Sequence, residues 1–254
     1  PIDRYRLYLQ GWLTESETVK RADHLILNSE YVRSIFSAIS PSQHHTIPNP
    51  TPSSYYMQHR HAESKRILYA GKISPLKGLG SLIDAVARLP YSADVQVILA
   101  GSAGNADYVD ELRRKVSGYG LDDSVSFVGL LSDAQLRKEF ALATTLVLPS
   151  QQENAPMVIQ QALASGLPVV ATDVGDVQRM LEDGAAGLVV PPGDTDSLST
   201  ALDRVLCDDG LQEKLAAKGR EKAQTWAASR VAELTAAVYS ECVEAGMPNI
   251  QTSF

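Results

Sequence analysis

No histidine occurs after residue 61 of this 254-residue chain; the five are His24, His44, His45, His59 and His61. A Ser-His-Asp or Cys-His nucleophile needs an imidazole beside the attacking atom, so neither can be built within the long regular part of the chain that follows. Cysteine is scarce as well. Cys207 and Cys242 form no metal or redox motif and read as reduced thiols in a cytosolic setting. No apolar run approaches the roughly 20 residues that cross a bilayer, and no signal-peptide pattern opens the chain. The expectation is a cytoplasmic protein without a transmembrane segment, with peripheral attachment to a membrane left open. Basic charge is short too: the formal net charge of −7 argues against a sequence-independent nucleic-acid binder, which needs a basic surface. His59-x-His61 is half a metal site without companion ligands and reads as solvated linker. No metal site is expected, and no Asp-x-Asp seat for a divalent cation.

What the chain does hold is organised around PSQQENAPMVIQQALASGLPVVATD, residues 149–173. TTLVLPS reads as a buried strand that ends in a polar loop. Asn154 is placed to cap a helix with Ala155 and Pro156 in its first turn, where the missing proline N–H costs nothing. Met157 and Val158 continue that helix, which ends near Gly166 and gives way to a second buried strand, PVVAT. A helix N-terminus at the carboxyl edge of a parallel sheet seats anions, because several of its N–H groups lack partners. Glu153 stands at that mouth, where a carboxylate repels phosphate and suits hydroxyls of a sugar attached to it. The stretch therefore reads as a nucleotide-sugar pocket.

Around it the chain divides into residues 1–50, a linker at 51–64, a regular domain at 65–228 and a C-terminal helix and tail at 229–254. In the first part a helix is expected over 5–21, with Tyr8, Leu9, Trp12 and Leu13 as its apolar stripe. A short strand in ADHLILNS and a helix in EYVRSIFSAI follow, and HHTIPNP reads as the start of a loop. From Arg66 strands alternate with helices: RILYAG, a helix over 79–89, VQVILAG, a helix over 107–117, SVSFVG, a helix over 134–142, TTLVLPS, PVVAT and AGLVVP. Such alternation predicts a parallel sheet covered on both faces, a Rossmann-like doubly wound α/β domain. Two helices without a strand are expected over 211–246.

Two further loops carry candidate chemistry. GKISPLKG places Lys72 and Lys77 beside Gly71, where two ammonium groups can meet a phosphate. AGSAGNADY has Gly101 and Gly104 but lacks the G-x-G-x-x-G spacing, which disfavours NAD. Asp173, Asp176 and Glu182 read as helix caps, and Trp226 as a residue that packs a helix.

Glu153, seven residues, Gln161, then Ala162, Ala164, Gly166, Pro168, Val169, Val170 and Ala171 form a pattern. It resembles that of the retaining GT-B glycosyltransferases of family 4, with Gln161 where the family has a second Glu. Gly71, Lys72, Lys77 and Gly78 resemble the family's Gly-Arg-x-x-x-x-Lys-Gly, with lysine in place of arginine. The resemblance covers about 65–225 strongly and 1–60 weakly. It implies a GT-B C-terminal domain with an incomplete N-terminal α/β segment ahead of it, the final helices crossing back to brace that segment. It further implies that Lys72 and Lys77 hold the diphosphate of a nucleoside-diphosphate sugar. Glu153 faces the sugar, Gln161 the ribose, Gly101 and Ser102 the nucleotide, and the backbone of Leu130 and Leu131 the base. Gly71, Asn154, Ala155, Pro156, Met157 and Val158 complete the expected donor site, with Glu153 and Lys77 as catalytic residues. Transfer with retention follows from the resemblance, without metal or cofactor, to a glycan, lipid or other acceptor. Uracil, guanine and adenine all stay open as the base.

Gln makes weaker hydrogen bonds to a diol than a carboxylate does. With the short N-terminal part, it leaves two alternatives: an inactive nucleotide-binding or interaction module, and a GT-B sugar-nucleotide epimerase. The chain by itself is expected to be inactive as a transferase.

Overall fold

The computed structural model describes residues 19–20, 22–56 and 60–246. The helix expected over 5–21 lies outside the described residues apart from positions 19 and 20, which are helical, and His59 and the tail from 247 also lie outside them. The described residues form two compact units, one within Thr51–Ala227 and one from the described parts of Pro1–Pro50 and Ala228–Phe254.

The smaller unit starts with strand β1 (His24–Leu27), helix α1 (Glu30–Phe36) and strand β2 (Gln43–Thr46). Ser29 begins the helix, its hydroxyl accepting from the Val32 N–H at 3.1 Å, as expected of a serine N-cap. β2 corrects the loop reading of HHTIPNP. Its sequence, Gln-His-His-Thr, has no apolar run, and only the parallel pairing with β1 makes it a strand: His24 stands opposite Gln43 and Ile26 opposite His45. The C-terminal helix Ala228–Gly246 places Val231 and Val238 against Ile47, with Leu234 and Cys242 alongside. These four recur every three or four residues and make one stripe.

The larger unit contains β3 (Arg66–Ala70), α2 (Leu79–Ala87), β4 (Gln96–Ala100), α3 (Ala106–Gly118), β5 (Val125–Gly129) and α4 (Asp133–Leu142). β6 (Thr145–Leu148), α5 (Met157–Ala164), β7 (Val169–Thr172), α6 (Val177–Met180), β8 (Leu188–Val190), α7 (Thr195–Cys207) and α8 (Asp209–Ala223) complete it. The strands form one parallel sheet in the order β5-β4-β3-β6-β7-β8. The central strands are apolar on both faces because helices cover both sides, and every residue of β6 and β7 is buried. The chain enters at β3, runs outward to β5, and returns to lay β6 on the other side of β3. Between β3 and β6 the order therefore reverses, the switch point at which a doubly wound sheet offers a crevice at the carboxyl ends of its strands.

Residues 51–64, expected as a linker, are strapped to this unit where they are described. Tyr55 is buried and donates from its hydroxyl to Asp133 at 2.7 Å. Arg60 donates to the carbonyls of Phe140 at 3.1 Å, Gly166 at 2.9 Å and Ala143. A guanidinium fork suits carbonyls orphaned at helix ends. Burial, with Arg220 nearby, lowers the Arg60 pKa to about 10, which leaves it charged at neutral pH. Trp226 is buried in the core, as its packing reading required.

Candidate functional site

The crevice between β3 and β6 gathers most of the residues singled out above. The loop after β3 runs through Gly71 and Lys72 to a tight turn at Pro75–Lys77 and then Gly78. It is zipped to the loop after β4 by Gly71 N–H to the Ala100 carbonyl at 2.9 Å and Ile73 N–H to the Ser102 carbonyl at 2.9 Å. Two glycines are demanded by how closely these loops pass. Gly101 has φ +150°, and a Cβ there would lie 1.7 Å from the Gly71 carbonyl oxygen; Gly78 has φ +66°, and a Cβ would lie 1.9 Å from that of Pro149. No side chain fits either place.

Across the crevice, the Lys77 Nζ stands 2.5 Å from the Glu153 Oε1, with side-chain exposures of 24% and 11%. The pair is thus largely shielded from water. The Ser150 hydroxyl donates to the same carboxylate oxygen at 2.8 Å, and Thr172 donates to the Ser150 carbonyl at 2.5 Å. Gln151 N–H to the Leu76 carbonyl at 2.8 Å ties the two loops together directly. Lys72 stays exposed, while its carbonyl accepts from the Tyr69 hydroxyl at 2.8 Å. Burial, helped by the charges of Glu153 and Tyr108, pushes the Tyr69 hydroxyl above its ordinary range and keeps it a donor.

Beside this mouth lies a cavity of about 260 Å³ lined by Gly71, Lys72, Gly101, Ser102, Leu130, Leu131, Leu136, Val158 and Gln161 together with Ala70 and Ala100. Val158 and Gln161 are one turn apart on α5 and so share the face that looks into it. The lining is mostly apolar, with the Gln161 amide, the Lys72 ammonium and the Ser102 hydroxyl as its polar side chains, and its size suits a nucleoside more than a whole sugar nucleotide.

Residues 57–222 match the family described as Glycosyl transferases group 1. The chain belongs to that family. Among similar proteins, the alpha-D-kanosaminyltransferase of Streptomyces kanamyceticus is 32% identical over 177 residues, which cover 69% of this chain and 45% of that protein. Sucrose-phosphate synthase from Thermosynechococcus elongatus superposes with a TM-score of 0.81 at 28% identity, covering 92% of this chain and 62% of that one. Anabaena HepE, solved in complex with UDP and glucose, gives a TM-score of 0.79 at 24% identity over 90% of this chain and 66% of that one. The chain spans about half the length of the curated relatives it matches. The neighbours are GT-B glycosyltransferases, and the expected fold class is the observed one.

Several expectations for this group 1 glycosyltransferase chain need correcting. Asn154 does not cap α5. The helix starts at Met157, Pro156 occupies the cap position without a side-chain hydrogen bond, and the Asn154 carbonyl instead accepts from the Asp176 N–H at 2.8 Å. Proline, with its fixed φ, starts the turn alone, so Asn154 serves the neighbouring loop. Asn154, Ala155, Pro156 and Met157 do not line the cavity that Val158 and Gln161 share. Asp176 precedes α6 without a side-chain cap bond and lies 3.9 Å from Arg179; Glu182 faces Lys222 at 3.6 Å. The chain also does contain an Asp-x-Asp, Asp194-Thr195-Asp196. It opens α7, where the Ser197 N–H donates to Asp194 at 2.9 Å and Arg88 to Asp196 at 2.5 Å. Those Ser197 bonds hold the Asp194 carboxyl below the usual range, so both carboxylates have structural work there. A depression of about 810 Å³ along edge strand β8 is lined by three carboxylates, Asp173, Asp183 and Asp196, against a single cation, Arg204. That carboxylate-rich wall is unsuited to phosphate.

Tyr69, Ser150 and Leu136 escaped the sequence reading. Only Tyr69 had a signal, its position two residues before Gly71, which puts it on the same side of the strand end.

Proposed function

We propose that the Thr51–Ala227 unit is the donor-binding half of a retaining glycosyltransferase that uses a nucleoside-diphosphate sugar without a metal ion. The observation that carries this reading is the Lys77–Glu153 pair beside a nucleoside-sized cavity, lined in part by Lys72, at the sheet's switch point. Base and ribose enter the cavity, where the Gln161 amide bonds the ribose hydroxyls and the walls of Leu130 and Leu131 enclose the base. The diphosphate then lies across Lys72 and the Lys77–Glu153 pair. Lys77 shares its protons between Glu153 and a phosphate oxygen, while Glu153, held by Ser150, accepts from hydroxyls of the sugar.

In transfer the bond between the anomeric carbon and the phosphate oxygen breaks, and the departing nucleoside diphosphate takes the electron pair. Two ammonium groups, Lys77 held by Glu153 and Lys72 on the cavity wall, stabilise that growing charge electrostatically, which supports a reaction without a divalent cation. The acceptor oxygen attacks from the face the phosphate leaves, and its proton passes to the departing phosphate, so configuration is retained.

One observation favours a second reading, a nucleotide-binding module without turnover. Gln161 is neutral where the family has a carboxylate, and Lys77 and Glu153 neutralise one another across the mouth.

Calorimetric titration with UDP, GDP and ADP, each with and without magnesium, tests the proposal. Selective binding of one diphosphate, unchanged by magnesium and weakened at least about tenfold by Lys77→Ala, is expected. Binding that requires magnesium, or that ignores Lys77→Ala, overturns it. Gln161→Glu sharpens the choice: a several-fold gain in nucleoside-diphosphate affinity supports the ribose role of position 161.

A further inference from the structure

The smaller unit carries a cluster that the donor site does not use. His24 Nδ1 and His45 Nε2 stand 3.0 Å apart, their rings stacked with centroids 5.3 Å apart. A carboxylate oxygen of Glu241 joins them, the three ligand atoms lying within 4.8 Å of one another. The strand register explains the meeting. His24 is opposite Gln43, and His45, two residues further on, returns to the same face. The C-terminal helix lies over that face, since Ile47 packs there against Val231 and Val238. Glu241 is one turn beyond Val238, so a carboxylate takes a place next to the apolar stripe, pointing at two imidazoles.

We propose that His24, His45 and Glu241 form a binding site for a divalent transition-metal ion of the zinc class. Two imidazoles and a carboxylate are a ligand set that zinc accepts, with a fourth position left for water. Zinc–ligand bonds of about 2.0–2.2 Å place tetrahedral ligand atoms roughly 3.3–3.6 Å apart. The two nitrogens are already near that separation, and the exposed Glu241 side chain has the freedom to close the remainder. Gln43 supplies an outer shell: its amide donates to Glu241 Oε1 at 2.6 Å, which orients the carboxylate and leaves its other oxygen for the metal. A bound ion would tie the C-terminal helix to β1 and β2, elements far apart in the chain. Nothing in this requires the donor site, so the two proposals fail separately.

The test uses the full untagged chain, stripped with a chelator and titrated with zinc alone against a chromophoric competitor, then with cobalt. One zinc per chain is expected, with cobalt giving the intense visible bands of a four-coordinate site. Zinc should also raise the melting temperature. His24→Gln, His45→Gln and Glu241→Gln should each weaken binding by more than the roughly tenfold expected for Gln43→Ala, while His61→Gln leaves it unchanged. Melting without zinc shows whether each variant folds, and Glu241→Gln, exposed and nearly isosteric, keeps the test alive should a histidine variant not fold. Zinc binding that persists in the folded His24→Gln/His45→Gln double variant overturns the proposal. So does the absence of stoichiometric zinc, which reduces the pair to a hydrogen bond between two imidazoles.

Discussion

The two units follow one plan, a parallel sheet with helices against it, and differ in how completely the faces are covered. In the larger, Ile67, Leu68 and Tyr69 of the first strand are fully buried and helices lie on both sides of the sheet. In the smaller, α1 has no buried residue, and Ile26, Ile35 and Ile39 remain 43%, 49% and 50% exposed. Parallel strands gain their stability from covered faces, and two strands alone are marginal in water. The larger unit therefore carries its own stability, whereas the smaller depends on the stripe of its C-terminal helix. Precise chemistry follows the same division: the half-buried Lys77–Glu153 pair and the shaped cavity belong to the unit that can hold them still.

Hydrogen exchange offers the strongest way to break that comparison. Amides of β3 and β6 should exchange only with global unfolding, and those of β1 and β2 faster by a factor on the order of a thousand, about 4 kcal/mol. Equal protection would refute the contrast. Paired truncations probe it next. Leu146→Ala, at a fully buried site, should cost about 2–5 kcal/mol in denaturant unfolding, while Ile35→Ala on the open face should stay within about 0.5 kcal/mol.

Lys77→Ala should lower stability by about 2 kcal/mol in addition to its effect on diphosphate binding. It leaves the Glu153 carboxylate shielded from water with Ser150 as its remaining partner, and the partial exposure of Lys77 keeps the loss below that of a fully buried pair. Tyr69→Phe should have the smallest effect, about 1 kcal/mol from the lost bond to the Lys72 carbonyl. A modest fall in diphosphate affinity should accompany it as the Lys72 loop loosens. If Tyr69→Phe matched Lys77→Ala in binding loss, Lys72 would be the dominant cation.

Much of this fold was legible because its strands are continuous apolar runs. RILYA, QVILA, TLVL and VVAT admit few settings besides the middle of a covered sheet. The helix expected over 134–142 is α4, and the structure shows it opened by a capping box of Ser132 and Gln135. β2 was not legible, because Gln-His-His-Thr becomes a strand only through its neighbour. Neither was the start of α5: Asn154 is an ordinary capping residue, yet Pro156 takes the cap position and the Asn154 carbonyl bonds the loop at Asp176.

The sequence by itself determined the strands and most of the helix spans of the larger unit and pointed to the family, since apolar periodicity and glycine-lysine loops are local signals. It also named Lys77 and Glu153 as candidates one by one. Only the tertiary structure decided that these two bond to each other, that Gln161 shares a cavity with Gly101 and Leu131, and that His24 meets His45 and Glu241. Such pairings depend on strand order and register, which bring distant residues to one edge or one face, and no local pattern encodes them.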